Sequence, residues 1–228
     1  LPMAILYIIA TPIGNLEDIT LRALRVLKEV DMILCEDTRT TAKLLQKYDI
    51  RTPTLSYHSH SKLAKVEKIF ELFEDGKNVA LVSDAGTPTI SDPGVLLVRQ
   101  VKKYFNDEVR VVPIPGPSAV ITALSASGVS SAEFLFLGFL PHKKGRETLF
   151  KEITGTKRAV VFYESPHRIL KTLESLKTHT PTRHIVLARE LTKIHEEFLA
   201  GTAAEIISIL ESDPQKQRGE FVVIVEKE

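Results

Sequence analysis

Short apolar runs alternate with helical patterns through the first half of this 228-residue chain, and that alternation restricts the fold more than any other feature. The runs that suit buried strands are Ile5–Ala10, Met32–Cys35, Thr54–Tyr57, Val79–Val82 and Val109–Val112. Segments with apolar residues at helical spacing separate them. Strands that alternate with helices predict an α/β fold whose N-terminal sheet is mostly parallel, with helices on both faces.

A proline-rich segment, Pro113–Pro117, interrupts this pattern. Three prolines in five residues favour a rigid, extended connection, and Ser118 can cap the helix that follows. We therefore predict an N-terminal α/β domain at residues 1–115 and a C-terminal α/β domain at residues 116–228. The second half mixes hairpin-like and crossover connections, which predicts a mixed sheet. Its predicted strands are Phe134–Leu137, Ala159–Tyr163, His184–Ala188, Glu196–Leu199 and Phe221–Val225.

Composition excludes several classes of protein. The chain is 43% apolar and 26% charged with a net charge of +1, as in an ordinary globular protein, and its apolar runs are too short to cross a bilayer. A single cysteine, Cys35, excludes an internal disulfide framework and fits a reducing cytoplasm. The near-neutral charge neither indicates nor excludes nucleic-acid binding through a local basic face.

The loop Ser83–Gly94 is longer than a strand-to-helix turn requires, and it is rich in Gly, Pro, Ser, Thr and Asp. Glycine allows the backbone to approach a ligand, and proline stiffens the loop. It follows a predicted strand, and the carboxyl ends of strands are where open α/β sheets bind ligands. No G-x-G-x-x-G and no Walker motif is present in the sequence, which disfavours a redox nucleotide or a P-loop site.

Other polar segments also follow predicted strands of the first half. Thr11–Asn15 could be a ligand loop or a plain turn. Glu36 and Asp37, with Arg39 nearby, could supply a general base, although Asp37 could equally be a helix cap. His58–His60 could line a substrate channel or be an ordinary surface loop, and it lacks the further ligands that a metal site needs.

Three segments of the second half could each belong to a functional site or to an ordinary solvated surface. Gly138–Arg146 turns from apolar to basic, which suits phosphate contact with Phe139 available for stacking. Glu164–Arg168 and Arg189–Lys193 each place charged residues after a strand, where an ion-pair network is the alternative. For Glu164–Arg168 the expected helix start is Ser165 as N-cap with Pro166 at the first helical position.

Taken together, these motifs resemble one known family, the ribosomal RNA small subunit methyltransferase I group of the tetrapyrrole-methylase superfamily. The similarity runs from about Leu6 to Val225. The segments that carry it, in order, are Thr11–Ile19, Glu36–Arg39, Ser83–Gly94, Pro115–Ala119, Gly138–Pro141, Glu164–Arg168 and Arg189–Lys193.

The resemblance implies a two-domain tetrapyrrole-methylase-like fold with S-adenosyl-L-methionine in the interdomain cleft. It implies a homodimer that methylates the ribose 2′-hydroxyl of a cytidine in the decoding region of 16S rRNA in the small ribosomal subunit. The cysteine content and the short apolar runs add the expectation of a cytoplasmic protein without membrane association, and the methyl transfer requires no metal. The alternatives are C-methylation of a porphyrin or corrin, and a non-catalytic module that binds S-adenosylmethionine or RNA.

Site residues follow from the resemblance together with the residue chemistry. The implied catalytic base is Glu36 or Asp37. The implied cofactor-binding residues are Pro12, Asp84, Ala85, Gly86, Thr87, Ile90, Ser118, Ala119, Tyr163 and Ala188. The expected RNA-binding residues are Arg39, His58, Lys143, Lys144, Arg146, Arg168 and Arg189.

Overall fold

A computed structural model describes residues 3–58 and 63–227. The chain divides into two compact units, Leu1–Ser118 and Ala119–Glu228, so the division falls a few residues beyond the predicted boundary at residue 115. Each unit has a five-stranded sheet, counted over these described ranges. Each sheet is packed against apolar helices of its own unit.

The first unit is built on a parallel sheet in the order β3-β2-β4-β1-β5, which confirms the predicted parallel α/β architecture. Its strands are β1 (Ala4–Ile9), β2 (Met32–Cys35), β3 (Thr54–Ser56), β4 (Val79–Val82) and β5 (Val109–Ile114). Its helices are α1 (Leu21–Glu29), α2 (Thr38–Lys47), α3 (Leu63–Glu74) and α4 (Val95–Phe105).

Helices cover both faces of this sheet because the strand residues alternate between two apolar cores. Ile9 points into the core that contains Leu27 of α1, whereas Leu6 belongs to the core that contains Ile69 of α3. The side chains of all four residues are fully buried, each contributing about 1.5–3 kcal/mol relative to an exposed position. The Thr20 hydroxyl accepts the Ala23 N–H (3.1 Å) and so caps the start of α1.

The last strand of this sheet is longer than expected. The sequence places its end at Val112, before the prolines, but β5 continues through Pro113, which pairs with Ile8 of β1. Proline cannot donate a ladder hydrogen bond, so it is tolerated on edge strands. Because β5 is an edge strand and Pro113 is exposed, the missing N–H costs the sheet little.

The second unit contains a mixed sheet in the order β6-β7-β10-β8-β9, as predicted. Its strands are β6 (Phe134–Phe139), β7 (Ala159–Glu164), β8 (Ile185–Arg189), β9 (Glu197–Gly201) and β10 (Phe221–Val225). Its helices are α5 (Ala119–Ala126), α6 (Arg146–Gly155), α7 (Ile169–His179) and α8 (Ala203–Ser212). β6 and β7 are parallel, and β10 lies antiparallel between β7 and β8.

Helix α7 begins later than the sequence pattern predicts. Its N-cap residue is Arg168 and its first helical residue is Ile169, so the expected start with Ser165 as the cap is wrong. The carbonyl of Ser165 instead accepts the N–H groups of Arg168 and Ile169, both at 3.1 Å, and forms a tight turn ahead of the helix. Among the described helices, none is long and apolar enough to span a membrane.

Candidate functional site

The carboxyl ends of the first unit's strands meet at one edge of its sheet, because all of its strands are parallel. This edge is where α/β sheets bind ligands. Pro12 follows β1, Glu36 and Asp37 follow β2, and His58 lies two residues beyond β3. Ser59 and His60 lie outside the described residues. The long loop of residues 83–94 follows β4, which is a central strand of the sheet.

This long loop is fastened to the loop after β1. The backbones of Thr11 and Gly86 exchange two hydrogen bonds of 2.9 Å, N–H to carbonyl in each direction. The hydroxyl of Thr11 also donates to the carbonyl of Ser83 (3.0 Å). Gly86 has φ +79°, a left-handed conformation in which a side chain would be strained. The backbone proposed to hold a cofactor is therefore fixed in shape.

The predicted cofactor residues of the loop differ in what they expose. Asp84, Ala85 and Ile90 are exposed, so a carboxylate and an apolar side chain are both accessible on the loop. Thr87 is half-buried, and its hydroxyl donates to the carbonyl of Pro117 (3.2 Å). Of the other predicted cofactor residues, Pro12 is buried, while Ser118 and Ala119 are half-buried.

The Asp37 carboxylate caps a helix and forms an ion pair. Its carboxylate caps α2 by accepting the Arg39 backbone N–H (2.8 Å). It also accepts hydrogen bonds from the Arg39 guanidinium, at 3.1 and 2.7 Å. These hydrogen bonds lower the pKa of Asp37 to about 2. A carboxylate that is so hard to protonate is a weak base, which disfavours Asp37 as the proton acceptor.

Asp92 is the acidic residue of this edge that the sequence analysis missed. Burial, and to a smaller extent the negative charges of Glu36 and Asp84, raise its pKa to about 6. A carboxyl group with a pKa near neutrality is suited to accept a proton at physiological pH. The sequence signal was its place in the long loop, but nothing in the sequence indicates that the side chain is half-buried near two other acids.

The remaining predicted cofactor residues lie in the second unit. Tyr163, at the end of β7, is half-buried with its ring edge-on to Phe136 and Phe139, at centroid distances of 5.0 and 5.4 Å. Ala188 is fully buried in β8 and pairs with Val222 of β10.

The predicted RNA-binding residues separate into exposed and buried groups. The Arg39 side chain is 89% exposed, and His58, Lys143 and Lys144 are exposed as well. Arg146 is only 6% exposed. Arg168 and Arg189 retain 15% and 11% of their side-chain exposure. The exposed group offers side-chain surface that phosphates can reach, whereas the buried group has little surface to offer.

Arg189 illustrates what the buried arginines do. Its guanidinium donates to the carbonyls of Arg218 (2.7 Å), Gln215 (2.9 Å) and His195 (3.4 Å), and it lies 3.7 Å from the Glu197 carboxylate. Its donors thus bind the carbonyls of two neighbouring loops. The sequence alone does not distinguish this structural role from phosphate binding.

Nothing in the described part of the chain is arranged as a metal centre: no group of three or more His, Cys, Asp or Glu side chains there could hold an ion.

Comparison with known proteins agrees with the fold and the motifs. The family model of the tetrapyrrole (corrin/porphyrin) methylases matches residues 5–207. Among solved structures, the methyltransferase CobJ superimposes with a TM-score of 0.71 at 18% identity, over 100% of this chain and 95% of that one. Cobalt precorrin-4 methyltransferase gives 0.67 at 18% identity, over 97% and 94%. These neighbours confirm the tetrapyrrole-methylase fold.

Sequence relatives identify the subgroup of the tetrapyrrole methylases to which the chain belongs. A protein of Bacillus subtilis (strain 168) named ribosomal RNA small subunit methyltransferase I is 48% identical over 98% of this chain and 75% of its own length. The protein of that name from Thermotoga maritima is 45% identical over 98% of both chains. The one from Vibrio cholerae is 50% identical over 97% of this chain and 76% of its own. With such identity along nearly its whole length, the chain belongs to the ribosomal RNA small subunit methyltransferase I family of the tetrapyrrole methylases.

Proposed function

We propose that this protein uses S-adenosyl-L-methionine to methylate the ribose 2′-hydroxyl of a cytidine in the decoding region of 16S rRNA. The relatives bear the name of small-subunit rRNA methyltransferases, which supports the substrate class. The observation that carries the proposal is the edge of the first unit, where a fixed loop gathers accessible acidic and apolar groups. By the family resemblance the protein acts as a homodimer, and its single cysteine fits the cytoplasm.

The residues of this edge fit the cofactor. S-adenosylmethionine supplies, when bound, an electrophilic methyl group on a positively charged sulfonium, and it also carries an ammonium group. Burial is the main cause of the raised pKa of Asp92, and the negative charges of Glu36 and Asp84 add to it, so the local potential there is negative. Such a potential favours a cationic ligand. We assign Asp84 to the ammonium group and the exposed, apolar Ile90 to the adenine.

Proton transfer is the other chemical task. A ribose hydroxyl is a poor nucleophile until a base accepts its proton. Asp37 is disfavoured because the Arg39 guanidinium holds its pKa at about 2. Glu36 remains a candidate. Asp92 joins it because its raised pKa makes it a better proton acceptor near neutrality than Asp37. Holding donor and acceptor in line provides much of the remaining rate enhancement.

RNA binding is assigned to the exposed basic side chains. Arg39 and His58 lie at the same edge as the acidic loop, and Lys143 and Lys144 lie on the basic loop of the second unit. Lysine and arginine contacts to phosphate position an RNA without reading its sequence. Specificity then depends on RNA shape and on bases that leave the stack.

The deciding experiment supplies methyl-labelled S-adenosylmethionine to the protein together with 30S subunits, naked 16S rRNA or uroporphyrinogen. We expect label in rRNA, at a cytidine 2′-oxygen when the modified nucleoside is identified by mass spectrometry. Label in the tetrapyrrole alone would establish the C-methylase alternative. Cofactor binding without turnover on any acceptor would establish the non-catalytic one.

A further inference from the structure

A buried network in the second unit connects two arginines to one glutamate. The Glu164 side chain is fully buried at the end of β7. One of its oxygens, Oε1, lies 2.8 Å from Nε of Arg168 in an ion pair that is not aligned as a hydrogen bond. The other, Oε2, accepts the hydroxyl of Thr172 at 2.6 Å. Thr172 in turn accepts a hydrogen bond of 2.7 Å from Arg146.

Both guanidiniums donate hydrogen bonds to the same loop, the Leu140–Gly145 segment that follows β6. Arg168 donates to the carbonyl of Leu140 (2.7 Å), and Arg146 donates to the carbonyl of Pro141 (3.2 Å). Arg146 also lies over the Phe150 ring, 5.1 Å from its centroid. Two consecutive carbonyls of the loop thus bind arginines that are themselves held by Glu164 of β7 and Thr172 of α7.

The residues that follow Leu140 and Pro141 carry exposed basic side chains. His142, Lys143 and Lys144 follow directly. Just before the held carbonyls, Phe139 is 58% exposed and its ring packs edge-on against Tyr163. Basic side chains beside an exposed aromatic ring suit contact with RNA phosphates and an unstacked base.

Stability alone is a weak explanation for this network. Burying charges costs desolvation free energy, and apolar residues of similar volume often stabilise a protein as well or better. Desolvation lowers the pKa of Arg146 despite the nearby Glu164, so the burial is costly for the cation. What the network provides is a fixed backbone path for the segment that carries the lysines.

We propose that Arg146 and Arg168, joined through Glu164 and Thr172, are positioning residues that fix the Leu140–Gly145 loop so that Lys143 and Lys144 meet the phosphates of the RNA substrate. The inference rests on the proposed function. It gives these two arginines an indirect role in RNA binding in place of direct phosphate contact.

The test uses Thr172→Val, which keeps the side chain's shape but removes the hydroxyl between Glu164 and Arg146. Measured are KM and kcat for 30S subunits, the Kd for S-adenosylmethionine, and the Kd for a fluorescent 16S rRNA fragment. We expect the KM and the RNA Kd to rise about tenfold, with kcat and cofactor affinity within about twofold. Thr172→Ser, which retains the hydroxyl, should restore most of the RNA affinity.

Arg183 offers a matched control at the opposite edge of the sheet. It is also buried and donates to the carbonyls of Glu226 (2.6 Å) and Ile153 (2.6 Å). Arg183→Lys should lower the melting temperature without changing the KM for RNA. If Thr172→Val does not fold, Arg146→Lys takes its place, because it keeps the charge but cannot make both contacts.

A double-mutant cycle separates positioning from general stability. In a Lys143→Ala/Lys144→Ala background, Thr172→Val should change the RNA Kd little, because the lysines through which it acts are gone. An equal rise in both backgrounds, or a loss of melting temperature alone, overturns the inference. Wild-type protein that binds RNA but does not methylate it contradicts the proposed function and leaves the binding test of the inference valid. Wild-type protein that binds no RNA overturns both.

Discussion

The backbone N–H of Asp37 donates a hydrogen bond of 3.1 Å to the carboxylate of Asp84, which joins the loop after β2 to the loop after β4. The two loops that carry the acidic residues of the proposed site are therefore coupled. A change in Asp84 affects both a charge at the site and the position of the neighbouring loop.

The first prediction separates these two effects. Asp84→Asn keeps an acceptor for the Asp37 N–H but removes the charge, so we expect the Kd for S-adenosylmethionine to rise about tenfold with little loss of stability. Asp84→Ala removes both and should also lower the free energy of unfolding by about 1 kcal/mol. Calorimetric titration and thermal unfolding measure the two quantities. Asp75→Asn, an exposed acid at the opposite edge of the same sheet, is the control. Wild-type affinity in Asp84→Asn would remove Asp84 from the cofactor site.

The second prediction concerns the base. If Asp92 accepts the proton of the ribose hydroxyl, kcat falls as the pH drops below about 6, where its carboxyl group becomes protonated. Asp92→Asn should then reduce kcat by roughly 10²–10⁴-fold and abolish this limb of the pH profile. Asp37→Asn should keep the limb, because a group with a pKa of about 2 cannot produce it. A normal profile in Asp92→Asn together with its loss in Glu36→Gln would assign the role to Glu36.

The third prediction is that Asp92→Asn stabilises the protein while it impairs activity. The folded state raises the pKa of Asp92 above the ordinary value of about 4, so its charge is less favourable in the folded than in the unfolded state. The side chain's contribution is therefore fully present below about pH 4 and is lost as the pH rises through about 6. Thermal unfolding should show no gain for the variant near pH 4 and a higher melting temperature above pH 6. Asp107→Asn, at an exposed position, should give no such trend.

The fourth prediction tests the packing under the long loop. Gly94 has φ +132°, and a Cβ there would lie 2.6 Å from Cδ2 of Leu81, so Gly94→Ala forces both backbone strain and overpacking. We expect a loss of about 1–3 kcal/mol in the free energy of unfolding. Gly155→Ala is the matched control, since nothing lies within 4 Å of its added Cβ, and it should be neutral or stabilising by about 0.4–1 kcal/mol. Equal effects in the two variants would contradict the strain argument.

The fifth prediction addresses the exposed lysines. Each phosphate contact to single-stranded RNA contributes about 0.7 to the slope of log affinity against log salt concentration. Lys143→Ala/Lys144→Ala should reduce that slope by about 1.4 if each lysine meets one phosphate. Binding of a 16S rRNA fragment at several salt concentrations measures it. Lys102→Ala/Lys103→Ala, on the exposed face of α4, should change the slope less.

Sequence reasoning placed the strands and their polar ends well, because buried parallel strands appear as short apolar runs and the loops after them share one edge. It did not identify Asp92, since its raised pKa depends on burial and on Glu36, which lies far away in sequence. Nor could it separate exposed Lys144 from buried Arg146, two residues further on. The direction of the Arg146 side chain is set by a hydrogen bond to Thr172, 26 positions away, and by the packing of α6 against α7.

Strand β10 is the last strand of the second unit in sequence but lies in the middle of its sheet, between β7 and β8. Until it is synthesised, the other four strands can form only the pairs β6–β7 and β8–β9. The ends of β7 and β10 are 61 residues apart, which the ribosome makes in roughly 3–12 s at ~5–20 residues per second, and during that time the inner edges of β7 and, once made, β8 remain open. Those edges are apolar strands able to pair with another chain. The nascent second unit is therefore most liable to aggregate in the interval before its final strand closes the sheet.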